Sequence, residues 1–143
     1  MSGGELSPIS GAIFFTRTYD EALALVIEAR EYLLGPGKMA VREMPSNVSF
    51  HYATESLRLT TRLTESMSWL MFQRALSEGE ITPDEAQAEE CHLQYQETCL
   101  AEIDDELMQK LPDGLVSLLA RSESLYRRID RLDQQAMEAY KTA

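Results

Sequence analysis

From Glu78 through Glu106 this sequence contains no lysine and no arginine. Eleven acids fall in that stretch, and the rest of the chain holds 13 acids against 13 bases. The stretch therefore carries the whole formal excess behind the net charge of −11. Phosphate backbones and anionic lipid headgroups are repelled by such a surface, so neither nucleic acid nor membrane is an expected partner. No run approaches the ~20 apolar residues of a membrane span. The N-terminus, MSGGELSPISGAIFF, has no basic start ahead of an apolar core, so it does not read as a secretory signal. Cysteine is limited to Cys91 and Cys99. On one helix they would stand ~12 Å apart, beyond the reach of a disulfide, and free thiols in a reducing cytoplasm are the simplest reading. The few glycines, at 3, 4, 11, 35, 37, 79 and 114, do not gather into a phosphate cradle. No nucleophile elbow or dinucleotide fingerprint is present. No segment of four or more residues alternates apolar and polar as a half-buried strand would.

Metal and cofactor chemistry find equally little. Glu89-Glu90-Cys91-His92 contains Glu-x-x-His, a spacing that helical bundles use for di-iron sites. A full site needs a second such motif, and the other histidine, His51, has Val48 at i−3. His92 then reads as a lone histidine on a polar helix surface. Cys91, His92 and Cys99 lack the close cysteine pairing of structural zinc. The expectation is no catalytic residue, no cofactor and no metal.

What is present is a set of long amphipathic segments. The 44% hydrophobic content is that of an ordinary globular chain, and 143 residues suit one domain with a real core. Residues 1–15 are expected to be a flexible N-terminus and 16–140 a single helical bundle domain. Tyr19, Ala22, Leu23, Val26, Ile27 and Leu33 follow helical spacing, predicting a helix near 16–34 that Gly35-Pro36-Gly37 ends. Lys38 to Asn47 is a connector containing Pro45. A second long helix is predicted from Ser46 to about Glu78, with Gly79 suited to the position after its C-terminus. Thr82-Pro83-Asp84-Glu85 is a start signal, with Thr82 as cap, Pro83 at the first helical position and Glu85 completing a capping box. A helical stretch that breaks within 88–92 is expected there. After the turn Leu111-Pro112-Asp113-Gly114, residues Leu118, Ser122, Leu125, Ile129, Leu132 and Ala136 form a narrow seam. The expected fold is all-α: an antiparallel three-helix bundle with an additional helical or loop segment between the second and last long helices.

The second helix changes character along its length. Leu59, Leu63, Met67, Leu70 and Met71 form one apolar stripe at ~100° per residue. The opposite side is polar at Arg58, Arg62 and Glu65, then apolar at Trp69, Phe72 and Leu76. A helix apolar on both sides needs covering on both. Leu63, Met67, Trp69, Leu70, Phe72 and Leu76 are therefore candidates for a dimer or partner interface, with packing inside one subunit as the other reading. The acids Glu78, Glu80, Asp84, Glu85, Glu89, Glu90, Asp104 and Asp105 are candidates for a surface that meets a basic protein partner. The plainer reading of those acids is a solvated face.

Three blocks of this sequence resemble the RcdA family, named for the regulator of CtrA degradation of alphaproteobacteria. The first runs from Thr18-Tyr19-Asp20-Glu21-Ala22 through Glu28-Ala29-Arg30-Glu31-Tyr32-Leu33. The second is Thr61-Arg62-Leu63, Met67-Ser68-Trp69-Leu70, Gln73-Arg74-Ala75 and Gly79-Glu80-Ile81. The third is Leu111-Pro112, Ser124-Leu125-Tyr126-Arg127-Arg128-Ile129 and Arg131-Leu132-Asp133. The resemblance implies a three-helix bundle that forms a homodimer, and a non-enzymatic adaptor for regulated proteolysis by ClpXP. It implies protein partners (the protease, response regulators and cell-cycle substrates) and a cytoplasmic location concentrated at a cell pole. With Ala143 as the last residue, a long tethering tail is not expected. The alternative is a dimeric helical scaffold with no role in proteolysis.

Overall fold

Proline cannot continue a helix but fits its first turn, and this chain uses both properties at one point. Helix α1 (Pro8–Leu34) stops just before Gly35, and Pro36 opens the short helix α2 (Pro36–Val41). The computed structural model describes residues 8–142, with side chains from residue 15. Of the stretch expected to be flexible, residues 1–7 lie outside the described ones, and 8–15 form the first turns of α1. The predicted connector thus begins inside α2, and the long helix α3 (Ser46–Ser77) begins behind Pro45.

The end of α3 follows the sequence signal closely. Gly79 adopts φ +74°, the left-handed conformation that costs glycine nothing. Its N–H donates to Leu76 O at 3.2 Å, and the Glu80 N–H donates to Ala75 O at 2.8 Å. These two bonds are the paired closure of a Schellman end. Beyond it, the Thr82 N–H donates to Glu85 Oε1 and the Glu85 N–H to Thr82 Oγ1, each at 3.1 Å. The capping box forms, yet the helical stretch expected after it is reduced to separate short turns. Single 3₁₀ turns follow at Glu85–Gln87 and Glu89–Cys91, then short helices α4 (Gln96–Cys99) and α5 (Asp105–Gln109). The last long helix, α6 (Asp113–Thr142), starts inside the expected turn.

Helices α1, α3 and α6 pack on one another around a single core. Side-chain pairing gives their directions. Arg121 bonds Glu28 and Arg128 bonds Glu21, so α1 and α6 are antiparallel. Arg62 reaches Leu119 whereas Trp69 reaches Asp133, so α3 and α6 run parallel. The expected all-α bundle is present, and one of its pairs is parallel because the 78–112 segment is no short turn. It travels back along α3: His92 lies beside the Trp69 level, Gln94 by Glu65, and Thr98 by Arg58. The core seam of α6 holds as far as Ile129, all of it buried. Beyond that the register differs: Asp133 is buried and Ala136 is exposed.

At the end of the bundle where α6 begins, the Tyr32 ring lies against both Gly37 and Gly114. A methyl group at either glycine would overlap that ring, so the helix ends can close only over hydrogen. Among the described residues no helix is long and apolar enough to cross a membrane.

Candidate functional site

The polar side of α3 is not a solvent face. Arg62 is 3% exposed. Its Nε donates to Cys99 O at 2.7 Å and its Nη1 to Leu119 O at 3.0 Å, tying the returning segment to α6. Burial works to lower its pKa, but a guanidinium stays charged, and carbonyl oxygens satisfy it. One turn earlier, Arg58 Nε donates to Thr98 O at 2.8 Å while its Nη1 is held by Glu55 at 2.6 Å. Glu65 accepts the Gln94 N–H at 2.8 Å, and the Tyr126 hydroxyl donates to Gln94 O at 3.1 Å. An irregular segment carries peptide groups without helix partners, and each must find one when covered. The row Arg58, Arg62 and Glu65 supplies them.

A second fastening sits on Asp133, which is 1% exposed. Its Oδ1 accepts from Trp69 Nε1 at 3.0 Å and faces His92 Nδ1 at 2.8 Å. Its Oδ2 accepts the Leu93 N–H at 3.0 Å. Three donors thus surround one buried carboxylate, and bonds to a charged acceptor are worth about 1.5–3 kcal/mol each. His92 is a half-buried latch between the returning segment and α6 rather than a histidine on a polar helix surface. Cys91 and Cys99 are both buried, and burial raises both thiol pKa values. Among the described residues no group of three or more His, Cys, Asp or Glu is placed to hold a metal ion.

The six interface candidates divide. Leu63, Trp69 and Leu70 are buried in the chain's own core, and the Trp69 indole is tied to Asp133 of the same chain. Phe72 and Leu76 are half-buried. Leu63 and Met67 line an open apolar groove between α1 and α3, of about 430 Å³, together with Val26, Leu33 and Met71. Met71 is 60% exposed there, and Ile27 of α1 is 48% exposed.

All eight acidic candidates are exposed. They do not act alike. Glu78 pairs with Arg74 at 3.2 Å, Asp84 accepts the Tyr140 hydroxyl, and Glu85 is used in the capping box. The bond from Asp84 stabilises the neutral phenol and raises the Tyr140 pKa. Asp104 caps α5 by accepting the Glu106 N–H at 3.0 Å. Asp104 and Asp105 also border a cleft of about 560 Å³ between α5 and α6.

This arrangement, three long helices with a polar-latched return segment, has a solved counterpart. The crystal structure of RcdA from Caulobacter crescentus CB15 is 43% identical, covers 85% of this chain and 89% of its own, and superposes with a TM-score of 0.69. A family model described as a protein of unknown function, DUF1465, matches residues 8–143. The chain belongs to the RcdA-like DUF1465 family. No curated protein matches it.

Within this RcdA-family chain the sequence blocks acquire distinct roles. Thr61-Arg62-Leu63 supplies the buried arginine clamp with a core leucine beside it. Met67-Ser68-Trp69-Leu70 supplies a groove residue and the indole of the Asp133 latch. Glu28 and Glu21 of the first block receive Arg121 and Arg128 as two forked ion pairs joining α1 to α6. The Arg121 bond holds the Glu28 pKa below its ordinary value. Sequence reasoning missed Asp133 as a hub and Arg62 as a clamp. Their partners lie 37 to 64 residues away, so no local pattern marks them.

Proposed function

We propose that this chain is a non-enzymatic adaptor that helps deliver cell-cycle regulatory proteins to the ClpXP protease. The observation that carries this reading is its 43% identity to RcdA over 85% of the chain. The geometry is compatible with it. The bundle's polar groups are largely occupied in holding its own segments, and apolar and acidic surfaces remain exposed for other proteins.

The same reading includes a cytoplasmic homodimer. Its proposed interface is the α1–α3 groove, where Leu63, Met67 and Met71 meet Val26 and Leu33. Phe72 and Leu76, half-buried on the Trp69 side of α3, do not line this groove. Trp69 and Leu70 are not exposed on this face, because their own surfaces are consumed inside the subunit.

The test is affinity capture of the tagged full chain from lysate of its source cells, read by mass spectrometry. Protease subunits and response regulators are expected among the captured proteins. Recovery of neither class contradicts the adaptor reading.

A further inference from the structure

We infer that the groove along the first half of α6 is a docking site for a basic, linear segment of a protein partner carrying an apolar anchor residue. This deepens the adaptor reading and rests on its premise that the chain works by holding other proteins. The cleft between α5 and α6 is about 560 Å³, and a neighbouring hollow of about 420 Å³ shares Asp105, Met108 and Val116 with it. Together they make one trough.

Its floor is apolar, with Ile103, Met108 and Val116 all half-buried. Its rim carries Glu102, Asp105 and Asp113, all exposed. Among the described residues none of these three acids makes a side-chain hydrogen bond or ion pair, whereas Glu123 at the far end is already paired with Arg127. Among the described residues the only base lining the trough is Arg62, and its guanidinium is spent on Cys99 O and Leu119 O. An anionic ligand would find no free cation there. A segment with Lys or Arg on either side of an apolar residue finds both a floor and counter-charges. Complementary charge of this kind sets partner choice and on-rate.

The experiment is fluorescence anisotropy of the full chain with a short fluorescein-labelled peptide alternating Lys or Arg with Leu. The inference predicts saturable binding that weakens about tenfold in the E102Q/D105N variant at low salt. The E89Q/E90Q variant removes equal charge from the same acidic segment outside the trough, and it should bind as wild type does. Replacing each Leu of the peptide by Ser should also abolish tight binding. These carboxylates are exposed, so their amides leave the fold intact, which circular dichroism checks. Equal weakening in both variants would show general charge attraction and overturn the inference. So would unaltered binding by E102Q/D105N, or full binding of the Ser peptide. If peptide binding behaves as predicted while capture recovers no protease or regulator, the protease reading fails and the trough stands. The reverse result removes the trough alone.

Discussion

Asp133 is a charged residue buried one position past the seam residue Leu132, and its burial is tolerated because three donors converge on it. Removing the carboxylate leaves the Trp69 indole and the Leu93 N–H buried without an acceptor. Asp133→Ala should therefore cost about 3–5 kcal/mol, the range for breaking one side of a buried polar pair. Urea unfolding measures it, and a loss under 1 kcal/mol would mean that the three bonds contribute little. The seam Leu118, Ser122, Leu125 and Ile129 was legible because apolar periodicity is a local signal. Asp133 was not, because its meaning depends on Trp69 and His92, far away in sequence. The two cysteines give a second residue-scale expectation. Burial raises both thiols, which lowers the thiolate fraction at neutral pH, and the thiolate is the reactive form. Iodoacetamide at pH 7.5 should label neither Cys91 nor Cys99 in the native protein and both in urea. Rapid native labelling, read by intact mass, would contradict the placement of these side chains.

Among the elements, punctuation was the most legible feature. Gly35-Pro36 ends α1, Gly79 closes α3, and Thr82 with Glu85 forms its box as the sequence implies. What the capping box could not convey is that only one turn follows. Residues 88–104 form a covering strip held by α3, and the strip is aperiodic because most of its hydrogen bonds to the long helices are made by peptide groups. The polar row Arg58, Arg62 and Glu65 gave no sign of its partners for the same reason: a side chain that bonds backbone has no complementary residue type to betray it. Two glycines separate two causes. Gly79→Ala strains a left-handed residue in open space and should cost about 1 kcal/mol. Gly114→Ala drives a methyl into the Tyr32 ring and should cost more, about 1–3 kcal/mol, as overpacking does. Thermal unfolding of both variants checks the order. The strip itself is tested by Arg58→Ala combined with Arg62→Ala. Limited proteolysis should then cut between residues 92 and 104, while α1, α3 and α6 keep their helicity. Unchanged protection would show that the arginines do not hold the strip.

At the scale of the whole molecule, the helical class and the three long helices followed from composition and period. The direction of α6 did not, because it depends on the route of the strip between α3 and α6. That route uses the polar side of α3 and leaves the α1–α3 groove uncovered, so the groove remains as the dimer face proposed here. Met71→Glu, on a residue 60% exposed, should convert a dimer to a monomer in multi-angle light scattering without lowering helicity. Trp69→Ala should instead lower stability, since the indole belongs to the internal latch. The most direct test of the adaptor account is reconstituted degradation: purified ClpXP and a cell-cycle substrate, with and without this chain, followed by the loss of intact substrate over time. The account predicts faster substrate loss when the chain is added, dependent on ClpXP and on the chain's concentration, with the chain itself unconsumed. An identical rate with and without it, in the presence of the partners that capture recovers, would contradict the account.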